Sequence, residues 1–178
     1  MSRKLVLYIA MSLDGYIADE HGGVSWLDSA TEPVGDGGYA AFLERIDTVI
    51  LGRRTYNQIV TELSPEEWVY HGLQSIVLTH RPCADTEEIT FTCEEAGSLA
   101  KRLKAQPGKD IWICGGAAVA RQFMGRGLID EYYLTVLPVL LGAGIRLFGD
   151  GIFQTLSLAE SRTEGGMLVC RYLPKEMD

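Results

Sequence analysis

Short apolar runs alternate along this chain with segments of helical spacing, and that alternation restricts the fold more than any other feature of the sequence. Lys4–Met11, Thr48–Leu51, Ser75–Thr79, Ile89–Thr92 and Asp110–Cys114 are strand-sized runs, the fourth being the weakest. Between them, Asp36–Arg45 places Tyr39, Phe42 and Ile46 on one side, and Arg53–Ile59, Glu94–Lys104 and Gly116–Met124 also read as helices. Strands separated by helices cross over and pair in parallel, which puts helices on the faces of the sheet. After Gly127 the rhythm changes. Glu131–Leu141 is a long β stretch, and Leu156–Thr163 with Leu168–Leu173 forms a hairpin around Gly165-Gly166. The expected architecture is α/β: a mostly parallel central sheet flanked by helices, with antiparallel strands at its C-terminal end. No Pro/Ser-rich linker or repeat divides it, so residues 1–178 are expected to form a single domain.

In open sheets of this kind ligands bind beyond the carboxyl ends of the strands, and three turns here end buried strands. The first is Leu51-Gly52-Arg53-Arg54-Thr55. Free backbone N–H groups at a helix start attract phosphate, Thr55 adds a hydroxyl, and arginine offers a two-pronged grip. A capped helix with two solvated arginines is the alternative. The second is Val77-Leu78-Thr79-His80-Arg81-Pro82, where His80 and Arg81 meet a phosphate or simply face solvent. In the third, Ile113-Cys114-Gly115-Gly116-Ala117-Ala118-Val119, consecutive glycines let a pyrophosphate approach bare backbone, or pack a tight turn against the sheet. The pair also permits a cis peptide bond. This is not the GxGxxG pattern of Rossmann domains. Three such turns in one chain point together to a nucleotide site.

Charge narrows the partners. With 16 basic and 24 acidic residues the chain carries −8, with a pI near 4.9, which argues against a general nucleic-acid or anionic-membrane binder. The four cysteines lack zinc-ligand spacing, and Cys114 and Cys170 sit in apolar runs as buried small hydrophobes. The apolar run Leu5–Met11 is too short for a membrane span or a secretory signal, so a cytoplasmic location is expected.

The chain resembles dihydrofolate reductases and, more closely, the reductase domain of bifunctional riboflavin-biosynthesis deaminase-reductases. Ser12-Leu13-Asp14-Gly15-Tyr16-Ile17-Ala18 resembles the N-terminal signature of that group, Leu51–Tyr56 its Gly-Arg-x-Thr-aromatic turn, and Ile113–Ala118 its Gly-Gly turn. Pro138-Val139-Leu140-Leu141-Gly142-Ala143-Gly144-Ile145-Arg146-Leu147-Phe148 matches its riboflavin-reductase signature. The resemblance implies a dihydrofolate-reductase-like fold and NADPH as cofactor. It places Arg53 at the 2′-phosphate, Arg54 and Thr55 beside Gly52 at adjacent phosphates, and Leu78, Thr79, His80 and Arg81 around the adenosine half. Gly115, Gly116, Ala117, Ala118 and Val119 would lie under the pyrophosphate, Cys114 near the nicotinamide, and Ala10 and Ile17 at the carboxamide through their backbones.

The implied activity is NADPH-dependent reduction of a small heterocycle, of the 5-amino-6-(5-phosphoribosylamino)uracil reductase type. A dihydrofolate or pterin reductase, or a non-catalytic NADPH-binding protein, is the alternative. Asp36, which lies 52 − 36 = 16 residues before Gly52, would hold the substrate and support protonation, or serve as a helix N-cap worth about 1 kcal/mol. Residues 21–27 would form a mobile flap with Trp26 as a packing surface for substrate, or as plain core. No arginine matches the one that grips a folate glutamate tail, no residues stand out for a substrate phosphate, and no deaminase zinc signature is present. Finally, the apolar run Tyr132–Leu141, continuing through Ile145, suggests a homodimer.

Overall fold

The computed structural model describes residues 2–29 and 38–175. In chain order its strands are β1 (Leu5–Ser12), β2 (Tyr16–Ala18), β3 (Ile46–Gly52), β4 (Gln74–Leu78), β5 (Ile89–Thr92), β6 (Asp110–Gly115), β7 (Glu131–Leu137), β8 (Ile145–Arg146), β9 (Leu156–Glu164) and β10 (Met167–Pro174). The helices are α1 (Trp26–Ser29), α2 (Tyr39–Glu44), α3 (Arg53–Gln58), which continues as a π turn over Ile59–Leu63, α4 (Ala96–Lys104) and α5 (Ala117–Met124). Eight strands form one sheet in the order β5-β4-β3-β6-β1-β7-β10-β9, and β2 pairs with β8 apart from it. From β5 to β7 every pairing is parallel. The pairings of β10 with β7 and β9 are antiparallel. The expected fold class holds.

Both faces of the parallel part are covered, which is why its strands read as unbroken apolar runs. On one face Leu5, Leu7, Ile50, Ile76, Ile111 and Ile113 pack against Leu99 and Leu103 of α4 and Ala120 and Phe123 of α5. On the other, Val6, Val49, Leu51, Val77 and Trp112 meet Phe42 of α2, Ile59 of the π turn and Trp68. Phe42 stacks on Tyr8 with ring centroids 4.3 Å apart, worth about 0.5–1.5 kcal/mol beyond area burial. Gly165 and Gly166, both at positive φ, make the two-residue turn of the β9–β10 hairpin, a position where a side chain would be strained.

Three expectations change. The stretch expected to run as strand to Leu141 leaves the sheet at Pro138, which has no N–H to donate, and Val139 N turns back onto Leu137 O at 2.8 Å. Helix α2 starts at Tyr39 with Gly38 at its N-cap, and Asp36, expected at the helix start, lies outside the described residues. And β7 is interior, pairing with β1 on one side and β10 on the other, with Tyr132, Leu134 and Leu137 buried, so the run expected at an edge offers no free strand edge. Apolar exposure falls instead on Leu140, Phe148, Phe153, Leu158 and Leu168.

The two signature segments hold each other. Asp14 accepts from Ser12 Oγ at 2.6 Å, Leu141 N at 3.1 Å and Gly142 N at 2.7 Å, while Leu13 N donates to Val139 O at 2.9 Å. The Ser12 hydroxyl, together with the backbone donors of Gly142 and Leu141, holds the Asp14 carboxyl well below its ordinary 3.8, at about 2. A depressed carboxylate contributes stability that is fully present above its unfolded value and lost as pH falls through its folded one. Asp14→Ala should therefore lower the urea midpoint at pH 6, and the difference from the unaltered protein should shrink between about pH 4 and pH 2 and then vanish. A pH-independent difference would show that the carboxylate charge plays no part.

Candidate nucleotide site

Strands β3 and β6 are neighbours and parallel, yet the helices that follow them go to opposite faces. The segment α3 and its π turn packs with Trp68 and Phe42, whereas α5 packs with α4. Such a parting opens a crevice at the carboxyl ends of the two strands. The turns that form it touch. A Cβ built on Gly52 would lie 3.1 Å from Val119 Cγ2 and 3.7 Å from Gly116 N, and one on Gly116 would lie 3.2 Å from Thr55 Oγ1. Glycine at both positions keeps the backbone bare where the two turns meet. The Gly115–Gly116 peptide bond is cis.

The third turn joins them through β4, which pairs with β3 so that Leu78 sits opposite Gly52. Thr79 Oγ1 accepts from Arg81 N at 3.2 Å, and His80 and Arg81 are exposed. Arg53 reaches across to this side: its Nη1 contacts Cys83 Sγ at 2.9 Å, and its guanidinium lies 5.1 Å from the Phe91 ring centroid and 5.5 Å from that of Tyr56. The expected cofactor residues on all three turns are thus neighbours at one edge of the sheet. Ala10 and Ile17 belong to the β1–β2 side of the same edge, Ala10 packed beside Trp26 and Ile17 against the core under α5.

Charge is divided between the two edges. At the amino ends of the strands the cations are paired: Arg3 with Asp47, Arg45 with Asp110 and, at 3.1 Å, with Glu131, and Lys4 with Glu131 at 2.5 Å. Burial alone would raise the Glu131 carboxyl, but hydrogen bonds from Lys4 and Arg45 hold it below its ordinary value. At the carboxyl edge Arg53, Arg54, His80 and Arg81 have no ion-pair partner among the described residues. The positive field of the three arginines is free to act on an anionic ligand.

Under α3 the crevice has an aromatic wall. Tyr70 lies edge-on to Trp112 at 5.2 Å, Tyr39 to Trp112 at 5.8 Å, and Tyr70 Oη meets Cys114 Sγ at 3.2 Å. Burial pushes the Cys114 thiol up to about 11, the Tyr70 bond working the other way. Burial likewise raises Tyr39 to about 12 and Tyr70 further. All three stay protonated at neutral pH, so the wall is uncharged and Cys114 is no thiolate. It is half-buried and hydrogen-bonded rather than a plain buried hydrophobe, unlike Cys170, which is buried as expected.

Sequence reasoning missed an open cleft of about 350 Å³ between the flap loop and α3, lined by Gly23, Val24, Ser25, Leu27, Asp28, Gln58, Glu62 and Leu63. Gln58 Nε2 donates to Gly22 O at 2.8 Å and ties the two walls together. A helical stagger of Gln58 and Glu62 was visible in the sequence, but not what it faced. Trp26 is buried beside Ala10, Leu137 and Met167, and its indole N–H has no partner among the described residues.

Fold and turns together define a class: an open α/β sheet with bare glycine turns at its carboxyl edge, where its helices part. The RibD C-terminal domain family matches residues 3–170, and the chain belongs to that family. Over 151 residues it is 46% identical to YwjB, an uncharacterized protein of Bacillus subtilis strain 168, covering 83% of this chain and 84% of that one. It is 26% identical over 170 residues to riboflavin biosynthesis protein RibD of Corynebacterium ammoniagenes, covering 88% of this chain and 49% of that protein. Among solved structures, one from Shewanella sp. PV-4, provisionally assigned to riboflavin biosynthesis, superposes with a TM-score of 0.86 at 28% identity, over 99% of this chain and 100% of its own. The Thermotoga maritima diaminohydroxyphosphoribosylaminopyrimidine deaminase/5-amino-6-(5-phosphoribosylamino)uracil reductase shares the fold, with a TM-score of 0.70 at 15% identity over 98% of this chain and 57% of its own.

The meeting of the two glycine turns generates a test. Gly116→Val would drive branched methyls into the space held by Thr55 Oγ1. It should abolish nucleotide binding in a titration followed by fluorescence while circular dichroism still reports a folded sheet. Unchanged affinity would reduce the turn to packing.

Proposed function

We propose that the protein is an NADPH-dependent reductase of a small heterocycle, related in chemistry to 5-amino-6-(5-phosphoribosylamino)uracil reduction. One observation carries this: the bare turns at Gly52 and Gly116 meet beside Arg53, Arg54 and Arg81, which have no ion-pair partner among the described residues, in a chain of the RibD C-terminal domain family. The residues fit a phosphorylated dinucleotide. Arg53 and Arg54 with Thr55 would hold phosphates, Arg53 reading the 2′-phosphate; Thr79, His80 and Arg81 would flank the adenosine. Gly115 to Val119 would lie under the pyrophosphate, and the backbones of Ala10 and Ile17 would orient the carboxamide. NADPH supplies a hydride; the chain supplies alignment and a neutral wall of Tyr39, Tyr70 and Cys114. Asp36 would hold the heterocycle and support its protonation.

Cytoplasmic location and a homodimer belong to the same proposal. Among the described residues no helix is long and apolar enough to cross a membrane. Self-association would cover the exposed Phe153, Leu158 and Leu168 rather than the interior strand, and light scattering giving about twice 19.6 kDa would support it.

Cofactor choice tests the phosphate roles. Arg53→Ala should weaken NADPH binding by roughly 1.5–3 kcal/mol, the usual loss for a charged hydrogen bond, and barely change NADH. Equal losses for both would remove Arg53 from the 2′-phosphate. For the substrate, Asp36→Asn should leave NADPH affinity nearly unchanged while turnover falls by about 10²–10⁴-fold. Full turnover in that variant would send the search for the proton donor elsewhere. NADPH binding without oxidation by any aminopyrimidine or pterin would make the protein a nucleotide sensor.

A further inference from the structure

We propose that Phe91 of β5 and Cys83 of the loop before it are positioning residues that hold the Arg53 guanidinium in a fixed socket. Through Arg53 they set the preference for a cofactor with a phosphate monoester on its ribose. The inference rests on the reading of the protein as an NADPH-dependent reductase and deepens it, since neither residue need touch the cofactor.

Arg53 opens α3, and contacts on several sides fix its side chain. Its Nε donates to Asn57 Oδ1, one turn along the helix, at 3.0 Å. Its Nη1 donates to Cys83 Sγ at 2.9 Å, and the Cys83 thiol donates in turn to Arg81 O at 3.5 Å. The thiol therefore accepts from the first turn and donates to the second, and it ties the two together. The rings of Tyr56 and Phe91 stand at 88° to each other, with centroids 5.2 Å apart. The guanidinium sits at the corner they make, 5.5 Å from the Tyr56 centroid and 5.1 Å from that of Phe91. Each ring presents its electron-rich face to the cation.

Phe91 is itself held through the backbone. Strand β5 pairs with β4 so that Phe91 lies opposite Val77, and Phe91 N donates to Asp85 Oδ1 at 2.8 Å. One residue on, Thr79 N donates to Thr92 O at 2.9 Å. The same pairing thus carries the socket and the Thr79–Arg81 turn. None of these contacts uses Arg53 Nη2, which has no hydrogen-bond partner among the described residues. An oriented guanidinium with an unused amino group presents donors of fixed direction to anionic oxygens. A long side chain that is already held loses little further freedom when it grips a phosphate, so more of that contact shows in the affinity. The 2′-hydroxyl of NADH carries no charge for Arg53 to meet. The socket therefore acts on NADPH selectively.

The test titrates the whole chain with NADPH and with NADH, each followed by fluorescence, and reads the ratio of the two dissociation constants. In Phe91→Leu, which keeps an apolar side chain against Tyr56, NADPH should weaken by roughly fivefold or more and NADH by less than about twofold. Phe91→Tyr, which restores an aromatic face, should restore the ratio. Cys83 is a half-buried loop residue outside the apolar core. Cys83→Ala should shift the ratio in the same direction, and it carries the test should Phe91→Leu fail to fold. In an Arg53→Ala background neither change should move the ratio further, because the residue through which both act is gone. Equal losses for the two cofactors, or none, in Phe91→Leu and Cys83→Ala overturn the inference. A shift that persists without Arg53 overturns it as well. An unaltered protein that binds neither cofactor instead overturns the reductase reading on which it rests.

Discussion

Two adjacent parallel strands, β3 and β6, hand the chain to helices on opposite faces of the sheet, and the two departing backbones must pass each other at the carboxyl edge. They pass with 3.1 Å between a would-be Gly52 Cβ and a Val119 methyl, and 3.2 Å between a would-be Gly116 Cβ and the Thr55 hydroxyl. Any larger residue at either glycine would push the helices apart or close the crevice between them. Much else follows from that passage. It fixes the starts of α3 and α5, and with them which residues rim the cleft: Arg53 to Thr55 on one lip, Ala117 to Val119 on the other.

Electrostatics follow the same division. A parallel sheet has a sidedness that an antiparallel one lacks, because all its amino ends share one edge and all its carboxyl ends the other. This chain places neutralised pairs at the first edge, where Arg3, Arg45, Lys4 and Glu131 lock strand starts together, and unpaired cations at the second. Removing a partner from the paired edge would leave a buried charge such as Glu131, 1% exposed, without compensation. Paired and unpaired charge are thereby assigned to opposite ends of the same strands.

Much of this was legible in the residues. The glycine turns, the parallel core strands and the C-terminal hairpin stand close to their expected places, because buried strands and Gly-rich breaks leave strong local marks. What local pattern could not supply was the partner of each mark. The run from Glu131 reads as β to Leu141, but Pro138 ends it, and residues 139–142 fold back onto Ser12–Asp14 in a contact 127 residues distant in sequence. The three-residue β2 and two-residue β8 are too short for any periodicity to reveal. Of the apolar run Tyr132–Leu141, the part up to Leu137 lies in a strand flanked by β1 and β10, while Leu140 stays exposed beyond it. The cleft beside the flap was the least legible. The cleft between Leu27 and Leu63 exists only after the flap and α3 are brought together, and Asp36 lies outside the described residues.

That asymmetry has a physical origin in where the family signatures lie. Ser12 to Ala18 and Pro138 to Phe148 resemble the riboflavin reductases most closely, and in this chain they are spent on each other: Asp14 gathers Ser12, Leu141 and Gly142, and Tyr16 Oη donates to Gly142 O at 3.3 Å. A clasp of this kind constrains sequence strongly because each group in it has a partner of fixed geometry, and it therefore persists whatever the domain acts upon. The cleft residues Asp28, Gln58 and Glu62 take no part in that clasp. They can change charge without loosening it. Membership of the RibD C-terminal domain family accordingly specifies the sheet and the clasp that joins the ends of β1 and β7, while the flap and the turn after α3 are where the fold imposes least.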